Sequence, residues 1–283
     1  MAIRRAFRTF LSLTPTVAGV TAAAMAGLFV ARELLPVSVL RESGDSVGNY
    51  LQTVGGIYAV LLAFVVYVVW GQFNEARGYV AREASAIVDV YRTVGGLSHE
   101  RHAAVMESLR AYLDAVIHQE WDAMAQSDDA VMEKTGHLLD DVWLAIVGCG
   151  SSTCDSEVFG EVVSRFNDLN ELRTLRLVAA RTRLPIALKI LLFSGAGILI
   201  GSMYLLPVDR MSMHALITAA MAGSIAHILY LVVDLDEAFS GDLQVSKQAF
   251  HRASRSLDRL AVMNRSTIAL ATQAAEAALV AAD

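Results

Sequence analysis

Between Leu51 and Val69 the chain carries no charged side chain, and the run passes on through Gln72, Asn74, Glu75 and Arg77 without a proline. About 20 apolar residues suffice to cross the hydrocarbon core of a bilayer as a helix. The stretch therefore predicts a membrane-spanning helix whose helical pattern continues in water. The rest of the chain has to be arranged around that joint. Composition agrees: 55% of residues are hydrophobic and 18% charged, with a mean hydropathy of +0.46. A soluble domain is nearer half apolar and a quarter charged.

Three further apolar runs complete the membrane part. The first, from Leu11 to Ala31, follows Arg4, Arg5 and Arg8. Arg4-Arg5-Ala6-Phe7 also fits the start of a twin-arginine export signal. The apolar run is longer than a signal core and no clean cleavage site follows it, so a first membrane helix is the preferred reading. Pro15 falls in its first turn, where proline is tolerated. Pro36 and a Ser/Gly/Asp cluster mark 32–48 as a turn region, and the second helix runs from Asn49 to Gly71. Pro185 opens the third helix and Pro207 closes it; a tight turn then leads to the fourth, from Ser212 to Val233. Small residues on the last two helices, among them Gly195, Gly201, Ala222 and Gly223, allow close approach.

Helical periodicity governs the middle of the chain. From Gln72 to Val94, Ala76, Val80, Glu83, Ile87, Val90 and Val94 share one face. Similar faces recur over about 100–126 (Leu109, Tyr112, Ile117, Glu120, Trp121), 129–147 and 155–183. No segment alternates as a strand does. The predicted fold is an all-α integral membrane protein with four transmembrane helices in two hairpins and a helical domain between helices two and three. Its parts are an N-terminal hairpin (1–76), a helical domain (77–184), a second hairpin (185–235) and a tail with a C-terminal helix (236–283). That helix is expected to pack on the helical domain or on another subunit.

Basic flanks set the orientation. Arg4, Arg5, Arg8, Arg77, Arg82, Arg173, Arg176, Arg181, Arg183 and Lys189 lie on one side, against Arg32, Arg41 and Arg210 on the other. The positive-inside rule puts both termini and the helical domain in the cytoplasm. The net charge of −6, without basic patches among aromatics, gives no support for nucleic-acid binding. No catalytic motif is present, so an enzyme is not expected. Cys149 and Cys154, even with His137, lack half of a zinc site; no metal or cofactor is predicted.

The blocks VGGIYAVLLAFVVYVVWGQFNEAR, REASAIVDVYR, RLPIALKILLFSGAGILIGSMYL, MHALITAAMAG and LDEAFSGDLQVS together resemble a bacterial membrane family called bestrophin-like, over roughly residues 49–250. Its name reflects similarity to bestrophins, pentameric anion channels whose second membrane helix lines the pore. The resemblance implies a homo-oligomer, a pentamer, in a bacterial inner membrane, with lipids and small inorganic ions, anions favoured, as partners. Under that reading Gly55, Tyr58, Leu62, Val65, Val69 and Gln72 line an axial pore, the middle residues forming a hydrophobic neck. The alternative is ordinary helix packing in a non-conducting scaffold or signalling protein whose cytoplasmic helices bind a partner.

Three more groups are candidates. Arg173, Arg176 and Arg183, at i, i+3 and i+10, share one helix face and form either an anion-attracting vestibule or a topology-setting flank. His227 inside the fourth helix is either an ion-coupled group or a neutral histidine bonded to a neighbouring helix. Asp234 and Asp236, with Glu237 and Asp242, form an acidic cluster that either holds an ion or is a solvated helix end paired with nearby arginines.

Overall fold

The structure, a computed structural model, describes residues 2–42, 44–97, 99–148 and 156–263. Among them every regular element is helical. The helices are α1 (Ala2–Leu34), α2 (Val37–Glu42), α3 (Gly44–Thr93), α4 (His99–Ala115), α5 (Trp121–Gln126), α6 (Asp129–Val147), α7 (Ser156–Arg181), α8 (Ile186–Met203), α9 (Met211–Asp236) and α10 (248–263). The chain divides into two compact units. One comprises Met1–Asn74 and Thr182–Gln244, the other Glu75–Arg181 and Val245–Asp283. The single 50-residue helix α3 supplies its first part to one unit and its last part to the other.

Among the described residues, four helical stretches are long and apolar enough to cross a membrane: Leu13–Leu34, Gly44–Thr93, Glu157–Met203 and Met211–Asp236. Between 11% and 33% of their apolar windows is buried within the protomer. Most of that surface therefore faces outward, which in water would be prohibitive and in lipid or an oligomer is not.

In the first unit, α3 packs its inner face on α8 and α9 through Tyr58, Leu62, Val65, Val69, Leu192, Ala196, Leu199, Ile225, Leu229 and Val232. Close approach depends on Gly195: a Cβ there would lie 2.7 Å from the Tyr58 ring. The Tyr58 hydroxyl then donates to the Leu192 carbonyl at 3.1 Å. Gly195→Leu is expected to drive the two helices apart, because the clash is with a ring locked between them. The readout is loss of a monodisperse, folded protein after detergent extraction, with Gly197→Leu, at an open position, as the retained control.

The bends of the two hairpins lie together. Arg41 pairs with the Asp209 carboxylate, Arg32 donates to the Asp209 carbonyl at 3.4 Å, and Pro207 sits against Gly44.

Several expected boundaries move. Helix α1 starts at Ala2, so Pro15 lies within it rather than in its first turn. Proline removes one backbone bond there, which membrane helices tolerate. The turn region 32–48 contains the helix α2, and α3 begins at Gly44 rather than Asn49. The expected helix over 100–126 is α4, a π turn (Val116–Glu120) and α5. It ends on Ser127 in the left-handed conformation, φ 57°, and Asp128 caps α6 by accepting from Ala130 N and Val131 N. Cys149, Cys154 and the end of the predicted C-terminal helix, from 264 on, lie outside the described residues.

Candidate functional site

The membrane part of α3 carries two seams, each stepping by three and four residues. The inner one is Tyr58, Leu62, Val65 and Val69; Val65 and Val69 are 0% exposed. The outer one is Ile57, Val60, Phe64, Tyr67, Gly71 and Asn74, all exposed, with Val60 at 72% and Tyr67 at 76%. The residues expected to line a pore are therefore the protomer's own packing face. Tyr58, Leu62, Val65 and Val69 are enclosed by α8 and α9, and Gly55 and Gln72 are half-buried at the margins of the same face. In the protomer the side chains of Tyr58, Leu62, Val65 and Val69 are therefore occupied by contacts with α8 and α9.

The three arginines of the expected vestibule do not share one helix face. Helix α7 ends at Arg181, so Arg183 lies beyond it, half-buried, and does not continue the face of Arg173 and Arg176. Arg176 is 0% exposed. Its Nε and Nη2 grip Glu83 in a fork at 2.6 and 3.1 Å, and Nη2 also donates to Glu120 Oε2 at 2.6 Å. Nη1 donates to Met124 Sδ at 2.9 Å, and the guanidinium lies 5.6 Å from the Phe250 ring centre. Arg173 donates to Glu120 Oε1 at 2.5 Å and to the Met132 carbonyl at 2.7 Å. Two carboxylates and two guanidinium groups thus form a neutral, buried quartet in the second unit, unavailable to a passing anion.

The quartet needs Glu120 turned inward, and the π turn accomplishes this. Its closing bond runs from Trp121 N–H to Val116 O, five residues back, in place of the usual four. Lys247 donates to the Ile117 carbonyl within the same turn at 3.0 Å, and Trp121 meets Phe250 edge to face. These contacts, with Leu257 buried, dock α10 on this unit.

Tyr112 is 0% exposed and donates to Glu83 Oε1 at 2.6 Å. Burial, and then the Glu83 carboxylate, push its phenol well above its ordinary range. Burial alone would lower Arg176, but Glu83 and Glu120 outweigh it and raise it. Because the folded state holds the Tyr112 proton more tightly than the unfolded one, this contribution is complete below about pH 10 and is lost as pH rises beyond it. Tyr112→Phe is expected to flatten that alkaline decline. It should cost about 1.5–3 kcal/mol at neutral pH, the range for a hydrogen bond to a charged group. Unfolding followed by tryptophan fluorescence against pH measures both.

The acidic cluster is a folded cap. Asp234 accepts from Asp242 N–H at 2.7 Å and Leu243 N–H at 2.9 Å. Gly241 makes this loop possible, with φ +65° and the Asp234 carboxylate where a Cβ would stand. Tyr230 donates to Asp242 Oδ2 at 2.8 Å. Asp236 accepts from Leu184 N–H at 2.6 Å and pairs with Lys189 at 2.7 Å. Its partner is a lysine rather than the arginines expected. Among the described residues no group of three or more His, Cys, Asp or Glu side chains could hold a metal. His227 is exposed on the surface of α9 instead of facing a neighbouring helix of its own protomer.

Sequence reasoning does not single out Glu83, Glu120 or Tyr112 as site residues. Their signal was there: a glutamate on an otherwise apolar helix face needs a buried cation.

Two helical hairpins with outward apolar surfaces, together with a helical unit closed by a buried ion quartet, define a multi-pass all-α membrane protein. A family model of the bestrophin-like domain matches residues 18–250. The chain belongs to the bestrophin-like family. Solved structures agree in fold. One is a single-residue variant of a bacterial bestrophin homolog from Klebsiella pneumoniae, with a TM-score of 0.68 and 15% identity over 85% of this chain and 98% of that one. Another structure of a homolog from that organism, obtained by Zn-SAD phasing, gives 0.62 and 14% over 85% and 97%. A search of curated proteins gave no match.

Proposed function

We propose that the chain assembles into a homo-oligomeric channel for small inorganic ions, with α3 beside the central axis and its outer seam toward the lumen. The observation that carries this reading is the seam itself. Ile57, Val60, Phe64 and Tyr67 project from the protomer at the 3.5-residue spacing that suits helices gathered around an axis. Apolar constrictions of this kind gate by dewetting. The seam ends on Gly71 and Asn74, where a polar exit belongs. The preference for anions rests on kinship with bestrophins, since Arg173 and Arg176 are committed to the quartet. Both termini are assigned to the cytoplasm of a bacterial inner membrane from the basic flanks.

Purified oligomer in planar bilayers tests the reading. Single-channel currents that reverse with a chloride gradient are expected. Silence of a correctly assembled oligomer under all salts and voltages overturns it in favour of a non-conducting scaffold.

A further inference from the structure

Among the described residues of the first unit, two polar side chains near the start of α9 each keep a buried atom that the packing leaves unmatched. His214 and Thr218 stand one turn apart on the same face of α9, and both are 0% exposed. His214 Nε2 lies 2.8 Å from the Met203 carbonyl of the α8–α9 bend. A carbonyl only accepts, so Nε2 carries the proton and Nδ1 is left as a bare acceptor. Nδ1 is enclosed and receives no hydrogen bond from any described residue.

Thr218 Oγ1 is enclosed and unmatched in the same way. That is unusual for a helix hydroxyl in this unit. Thr53, Ser202 and Ser224 each donate to the carbonyl four residues earlier, at 2.9, 2.7 and 2.8 Å. Thr218 forgoes that bond. Leaving two polar atoms unpaired within hydrocarbon is costly, and natural structures resolve such pairs with an internal water that makes two to four bonds.

We propose that His214 and Thr218 form an internal binding site for one water molecule inside the membrane-spanning unit, bridging Nδ1 and Oγ1. Proton directions along the chain follow from Met203. Nε2–H donates to the carbonyl, the water donates to Nδ1, and the Thr218 hydroxyl donates to the water oxygen. The site fixes the neutral Nε2–H tautomer of His214 and cross-links the α8–α9 bend to the second turn of α9. It does not depend on whether the oligomer conducts.

The test rests on a sign. Thr218→Val keeps the shape and removes the hydroxyl. If the hydroxyl were an orphan, its removal would leave the melting temperature unchanged or raise it. If it holds the bridging water, the melting temperature falls, and the fall vanishes when the same change is made in a His214→Phe background. Magic-angle-spinning NMR of the wild-type protein with 15N-histidine is then expected to show Nδ1 of His214 correlated with water protons, and Thr218→Val to abolish that correlation. This measurement stands even if His214→Phe fails to fold. An unchanged or raised melting temperature overturns the site. So does coupling between the two residues without a water correlation, which would mean a direct hydroxyl–imidazole bond.

Discussion

Arg176→Ala is expected to destabilise the second unit by about 3–5 kcal/mol, the range for removing one partner of a buried ion pair. The loss is not that of a single contact. Glu83 would keep only the Tyr112 hydroxyl, and Glu120 only Arg173. A carboxylate stranded in the interior either stays charged at high cost or takes up a proton. Thermal or urea unfolding read by tryptophan fluorescence measures the effect, since Trp121 and Trp143 both lie in this unit. Arg165→Ala is the control: Arg165 bonds Glu161 and reaches Asp168, but from an exposed position, and such pairs contribute little. Arg176→Lys should recover only part of the loss, because an ammonium cannot make the forked contact with Glu83 while reaching Glu120. Full recovery by lysine would show that charge alone matters and that the geometry described here does not.

The second large effect separates the two seams of α3. In a background with Cys149 and Cys154 replaced by serine, cysteine at Val60 or Phe64 is expected to react with a small charged thiol reagent and to lose most of its current on reaction. Cysteine at Val65 is expected to stay unmodified, and Val65→Ala to weaken the first unit through the cavity it leaves. Modification and block at Val65, with Val60 inert, would return the lumen to the inner face and contradict the packing of Tyr58, Leu62, Val65 and Val69 on α8 and α9.

That contrast also shows what the sequence can convey. The existence of four apolar helices follows from run length and charge, because uncharged runs of about 20 residues fit a helical crossing, whereas a barrel strand needs about half that length and alternates. Which face of α3 turns inward does not follow. In water one seam would be polar; in a membrane both the Leu62 seam and the Phe64 seam are apolar, so periodicity finds two and cannot rank them. The quartet was half legible. Glu83 and Glu120 could be seen on apolar faces, and Arg173 and Arg176 on one side of a helix. Their meeting depends on a local departure from α geometry between Val116 and Glu120, which no propensity in VIHQE announces. Arg183 misleads for the opposite reason: the periodic pattern extends through 182 and 183, whereas the helix stops at Arg181 ahead of Pro185, which disfavours helical geometry for the residue before it.

The π turn also makes chain length, as distinct from residue identity, a constraint on this protein. A helix with such a turn is an α-helix holding one residue too many, so its two ends are out of phase by about 100°, one α-helical step. Deleting any one residue from Val116 to Glu120 would heal the local hydrogen bonding and make the segment a better helix. The same deletion would rotate everything on one side of the cut relative to the other, parting Glu120 from Arg173 and Arg176 or Tyr112 from Glu83. Of the five residues, His118 and Gln119 are exposed and individually replaceable. The count of five is not.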